Sequence, residues 1–255
     1  MPEVGMVERP RARMGRYALW QMRDYAVGAG GATAALSVLV LALAVAGGLP
    51  DDPANRASVL RSVLGAAAVV GAVAGVSGLV SDDRTKGYYR FALAKPVSAT
   101  RLYGQAFAVR GAALLGLLAA IWITGTVVMG AGSLISDALP RLLLFGAVAY
   151  VLIGGVTFAL STITRFAWLG TVALYAAAGI AGGLAQSSHW SRPPWAVAHM
   201  VLPPFGQVSA LYRDLLGLSP SPMERPVRTI AWIAGYGAAA IAAGLAILRR
   251  REWPR

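Results

Sequence analysis

SDDRTKGYYRFALAKPVSATRLYG, residues 81–104, carries seven charged side chains between two runs that hold none. Each charge at the centre of a membrane helix costs roughly 2.5–3.5 kcal/mol, so burying seven would cost about 20 kcal/mol. The stretch therefore belongs in water or at the headgroups. Its flanks, 62–81 and 111–136, each hold 20 or more residues without Asp, Glu, Lys or Arg. At about 1.5 Å per residue either run can cross a hydrocarbon core of about 30 Å.

Four more intervals have the same property: 25–50, 142–164, 166–191 and 229–248. With 57% hydrophobic and 13% charged residues and a mean hydropathy of +0.60, the chain reads as an integral membrane protein. The expected fold is all-α, with spans at 25–49, 60–80, 106–130, 141–163, 166–186 and 229–248. A further apolar interval, 193–212, contains Pro193, Pro194, Pro203 and Pro204. Paired prolines remove backbone donors that lipid cannot replace, so it is not counted as a span.

Six spans put the N-terminus, the 81–110 region, the turn at Arg165 and the C-terminus on one side, which holds 16 of the 23 Lys and Arg. The positive-inside rule makes that side the cytoplasm. The formal charge of +12 is then explained by anionic headgroups, without nucleic acid. Cysteine is absent, which excludes disulfides and thiolate metal sites. The first apolar run is too long for a signal-peptide core and is expected to be an uncleaved helix.

Residues 10–24 can form an amphipathic helix lying on the membrane surface. Met14, Ala18, Met22 and Tyr25 share one face, with Tyr17 beside it, and Arg13, Arg16 and Arg23 lie opposite. Residues 187–228 join the fifth and sixth spans. Within them Val208, Leu211, Tyr212, Leu215 and Leu216 recur at helical spacing, which predicts a short helix over the outer end of the bundle. Small-residue pairs such as Gly71-x-x-x-Gly75 and Gly179-x-x-x-Gly183 predict close helix packing within the bundle.

The chemistry of an enzyme is missing. There is no His-Glu-x-x-His, no Gly-x-Ser-x-Gly and no second acidic motif to complement Asp82-Asp83. His189 and His199 lie near Trp190 and Trp195, a setting for interfacial packing more than for metal. The spans contain no ionisable residue at depth, which argues against a proton- or sodium-coupled carrier. No Gly-x-x-x-x-Gly-Lys-Ser/Thr loop is present, so any ATP would be bound by another polypeptide.

Within the quoted stretch Tyr88, Tyr89, Phe91, Ala92 and Leu93 run into Lys95-Pro96, where proline ends a helix near Ala94. Ser98 is placed to cap the next one. The expected result is a short cytoplasmic helix and a rigid corner leading into the third span.

Asp83-x-x-x-Gly87, then Leu93-x-x-Pro96-Val97-Ser98, then Arg101, between the second and third spans, resembles the permease subunits of type-2 ABC exporters. The likeness covers the whole chain in layout and about 25 residues in motif. Two positions depart from the pattern: Tyr88 stands for a common Thr and Gln105 for a frequent Lys. The resemblance implies that 81–104 is a coupling helix segment docking on an ATPase, with Asp83, Gly87, Tyr88, Pro96, Val97, Ser98 and Arg101 as its contacts. It implies an elbow helix at 10–24 and outer gate helices in 187–228, with 249–255 as a cytoplasmic tail. It also implies an ATP-binding cassette ATPase partner carrying ATP and Mg, a second permease chain, surrounding lipid, and a bacterial inner membrane with both termini cytoplasmic. No cofactor is expected on this chain. Apolar spans with scattered Thr124, Thr126, Thr157, Ser161 and Thr171 suit export of a hydrophobic or amphipathic cargo. The competing expectation is a non-transporting subunit that anchors another complex, in which 81–104 would bind something other than an ATPase.

Overall fold

Long runs of Ala, Val, Leu and Gly can satisfy their backbone groups in lipid only as helices, and helices are what the chain forms. The structure is a computed structural model that describes residues 14–48, 52–86, 98–129, 135–186, 197, 200–217 and 225–250. Among these residues there is no strand. Six helical segments are long and apolar enough to cross a membrane: Ala18–Ala46, Asn55–Asp83, Ala99–Val128, Ala138–Ser161, Ala167–Leu184 and Pro226–Arg250. The chain is therefore a multi-pass membrane protein.

The first span is built from α1 (Met14–Val27) and α2 (Ala29–Ala46), joined at Gly28, whose ψ of −108° breaks the helical path. The second comprises α3 (Pro53–Ser77), a turn, and the six-residue α4 (Ser81–Lys86). The third is α5 (Ala99–Val128), which begins seven residues earlier than the expected span because the Ser98 cap feeds straight into it. The fourth is α6 (Ile135–Ala149), a π-helical turn at Tyr150–Gly154 and α7 (Gly155–Ser161). The fifth is α8 (Ala167–Gln186) and the sixth α10 (Pro226–Arg250); α9 (Phe205–Leu215) lies between them.

The core is centred on α3, whose Leu60, Leu64, Ala68, Ala72 and Val76 are completely buried. Around it pack α2, α5, the fourth span and α8. Outward-facing Leu36, Leu39 and Leu43 of α2 and Leu169, Val172 and Ile180 of α8 are exposed, a surface suited to lipid. Association in lipid relies on close contact, and Gly71 and Gly75 supply it inside the bundle. A Cβ at Gly71 would lie 2.5 Å from a Leu114 methyl, and one at Gly75 would lie 2.7 Å from the Tyr25 ring. At Gly179 and Gly183 an added Cβ would meet nothing within 4 Å.

The hydroxyls scattered through the spans mostly serve the helices. Thr126, Thr157, Ser161 and Thr171 are buried and donate to backbone carbonyls a turn back. Thr157 and Thr171 also meet across the α7–α8 contact at 2.9 Å. Thr124 is exposed.

Two ends of the bundle follow from α3. Arg61 and Gly75 stand fourteen residues apart on it, about 21 Å along the axis. At the Arg61 end α9 lies across the bundle, burying Phe205, Val208 and Leu211 and exposing Arg213. Tyr212 donates a short hydrogen bond to the Arg61 carbonyl, and its ring packs 4.8 Å from that of Phe145. Burial pushes the Tyr212 hydroxyl up to about 12, against smaller opposing effects of the Gly65 backbone and Arg61. The phenol therefore stays protonated and able to donate at neutral pH. Tyr212→Phe should cost about 1 kcal/mol and speed amide exchange over Phe205–Leu215; unchanged exchange there would mean that apolar packing alone holds α9.

Candidate functional site

An assembly of polar side chains sits at the other end, where α1, α3, α4 and α5 meet. It starts from the length of α5. Thirty residues make about 45 Å of helix, some 15 Å more than the hydrocarbon core needs. The first ten or so residues can thus stand outside the hydrocarbon. Ser98, extended at φ −72° and ψ 144°, accepts a hydrogen bond from the Arg101 N–H at 3.3 Å, satisfying one of the unpaired donors at the helix start. The Arg101 side chain is exposed.

Arg110 is the twelfth residue of α5, and its side chain is only 14% exposed. One guanidinium nitrogen donates to the Gly75 carbonyl at 2.6 Å and another to Asp24 Oδ2 at 3.1 Å. Gly75 belongs to the last turn of α3, where carbonyls lack intrahelical donors. All four are served: Ala74 by the Ser77 hydroxyl, Gly75 by Arg110, Val76 by the Leu79 N–H and Ser77 by the Ser81 hydroxyl. A cation at the negative end of a helix dipole is also favourable. Arg110 thus caps α3 of the second span, neutralises Asp24 of α1 and belongs to the third.

Tyr25 completes the joint. Its ring is 3% exposed and sits in a socket of glycines, where Cβ atoms at Gly30 and Gly75 would each lie 2.7 Å from ring carbons. Any side chain there would push α1 off α3.

Asp83, in the first turn of α4, is half-buried. The Tyr103 hydroxyl, Arg110, Asp24 and Asp82 lie close enough to act on its charge. Thr85 closes the turn by donating to the Ser81 carbonyl at 2.9 Å. On the far side of α5, Tyr150 donates to the Phe107 carbonyl at 2.6 Å, with its ring 4.7 Å from that of Phe107. A Cβ at Gly111 would lie 2.6 Å from the Tyr150 ring. The π-helical turn that begins at Tyr150 is therefore keyed to the segment of α5 that carries Arg110.

Of the residues expected to contact an ATPase, Asp83, Ser98 and Arg101 flank the charged stretch at its two attachments to the bundle. Gly87, Tyr88, Pro96 and Val97 lie outside the described residues, as do residues 10–13 of the expected elbow and the tail after Arg250. Asp24, Tyr25, Tyr103 and Arg110 were not anticipated. A signal existed: Tyr103, Phe107, Arg110 and Leu114 recur at helical spacing, so Arg110 is a lone cation on a buried stripe.

The arrangement has no nucleophile beside a base. Among the described residues no group of three or more His, Cys, Asp or Glu side chains converges. What the cluster can do is mechanical: it fastens the entry and exit of the charged stretch to three helices at once. No family model, curated protein or solved structure matches this chain.

Proposed function

We propose that this chain is the transmembrane permease subunit of an ATP-binding cassette transporter. It works with a separate ATPase subunit, which binds ATP and Mg, and with a second permease chain. Together the permease chains form a path that exports a hydrophobic or amphipathic cargo. The end bearing Asp83 and Arg110 faces the cytoplasm, as the arginine distribution requires. In this reading the elbow is the N-terminal stretch 10–24, which runs into the first span through α1, α4 opens the coupling segment and α9 belongs to the outer gate.

The observation that carries the proposal is the joint at Arg110. A push from a soluble partner on residues 81–104 arrives at two anchored points, Asp83 and Ser98. Asp83 lies within electrostatic reach of Tyr103 and Arg110, and Ser98 caps a thirty-residue helix. Arg110 links that helix to Asp24 and Gly75, so the elbow and the second and third spans move together. The chain supplies the lever, and the ATPase supplies the energy.

Asp83→Asn and Gly87→Leu are expected to lower substrate-stimulated ATPase activity of the assembled complex about tenfold, the scale of one charge-assisted contact. Membrane insertion and yield should stay at wild-type levels, read by fractionation of the tagged chain. Loss of insertion with unchanged specific activity would make these residues structural and contradict a coupling role.

A further inference from the structure

The Arg61 end of the bundle holds a second feature, built where α9 meets the start of α10. A cavity of about 770 Å³ opens there, lined by Met200, Gln207, Arg228, Thr229, Ala231 and Trp232. Its size is in the range of small-molecule sites. The Tyr236 hydroxyl donates to the Val201 carbonyl at 3.0 Å, tying the wall that carries Met200 to α10. Tyr212 holds α9 to α3 on the opposite side.

The lining is amphipathic in a definite direction. Arg228 and Trp232 stand one turn apart on the same face of α10, with Arg228 in its first turn. Twenty-five residues give α10 about 37 Å, a few ångströms more than the hydrocarbon at each end. Arg228 then lies at headgroup level, and Trp232, about 6 Å deeper, at the boundary where indoles concentrate. Trp232 is 49% and Met200 70% exposed, so the apolar wall is open to a chain lying along it. Gln207 and Thr229 add polar groups beside the cation. Arg228 has no ion-pair partner among the described residues, and none of the described residues that line the cavity is a carboxylate.

We propose that this cavity holds an anionic phospholipid of the adjacent leaflet, its phosphate against Arg228 and its upper acyl chain against Trp232 and Met200. A zwitterionic lipid could offer the same phosphate, but its ammonium would find no carboxylate among the described lining residues. The proposal does not depend on the transporter reading, because it concerns the chain at rest in a bilayer.

The test uses the full chain in phospholipid nanodiscs with a minor fraction of lipid brominated in the upper acyl chain. Bromine quenches nearby indoles, and the difference between wild type and Trp232→Phe isolates Trp232 from the other tryptophans. Brominated phosphatidylglycerol should be enriched at Trp232 about fivefold over the same fraction of brominated phosphatidylcholine, the value of one basic residue at an anionic surface. Arg228→Gln should abolish that preference, and Arg228→Lys should retain most of it, which separates lost charge from lost folding. Equal quenching by the two lipids would overturn the proposal. So would an equal loss of preference in Arg225→Gln, since that cation does not line the cavity and would report only general surface charge. Displacement by millimolar inorganic phosphate would identify a simple anion site and overturn the lipid assignment.

Discussion

Asp24→Ala is expected to destabilise the protein by about 2–3 kcal/mol, more than Arg110→Met at its partner. The asymmetry follows from exposure, since the Asp24 side chain is 51% exposed and that of Arg110 14%. Removing one member of a buried pair strands the other charge, at a typical cost of about 3–5 kcal/mol. Without Asp24 the stranded group is the enclosed guanidinium, left with one hydrogen bond, to the Gly75 carbonyl, and the weaker pull of Asp83. Without Arg110 the carboxylate can turn to water, and methionine refills much of the stem volume. The cost falls below the usual range because water already reaches one side of the pair. The double variant should lie close to Arg110→Met alone, because Asp24 then has nothing left to neutralise. Melting of the detergent-solubilised chain, followed by gel filtration after heating, reads the order directly. Additive losses would mean that the two side chains act independently.

Gly237→Val should prevent recovery of folded protein altogether. Here α10 crosses the π-helical turn backbone to backbone. A Cβ at Gly237 would lie 2.6 Å from the Val151 carbonyl carbon and 2.8 Å from Leu152 Cα, and one at Gly155 would lie 2.7 Å from the Gly237 oxygen. Neither wall is a side chain that can rotate away, so the helices must separate along the most enclosed part of the bundle. Overpacking usually costs about 1–3 kcal/mol; two fixed backbones and a branched side chain put this site at or above the upper figure. Gly183→Val, on a surface with nothing within 4 Å, should be recovered as a monodisperse chain at near wild-type yield. Equal yields of the two variants would show that α10 does not seat on the π turn.

The contrast between these sites marks what the sequence could reveal. The six spans were legible because each needs about twenty apolar residues, a constraint local enough to read by eye. The α9 helix was legible from the spacing of Val208, Leu211 and Tyr212. Arg110 was missed because, near the edge of the expected span at 106–130, it read as one more cation facing headgroups. Only partners 86 and 35 residues away, Asp24 and Gly75, turn it from a boundary into a joint. The π turn was missed for a related reason: Gly154-Gly155 signals close approach, but the extra residue in the turn answers to Phe107 on another helix and to Gly237 on a third. The hydroxyls of Thr157 and Thr171 read as possible path lining and are instead bonded to each other and to carbonyls. Of the candidate coupling residues, the sequence offered seven, and the described structure carries three of them to the edges of the charged stretch.

The central claim is that this chain works as the membrane half of an ATP-driven transporter. It is tested most directly by mild-detergent purification of the tagged full-length chain, with mass spectrometry of its partners and an ATPase assay on the eluate. A permease subunit should recover a P-loop ATPase near one-to-one, and the pair should separate when Gly87 and Pro96 are replaced. Recovery of a different complex without ATPase activity would contradict the claim and make residues 81–104 an assembly contact of a membrane anchor.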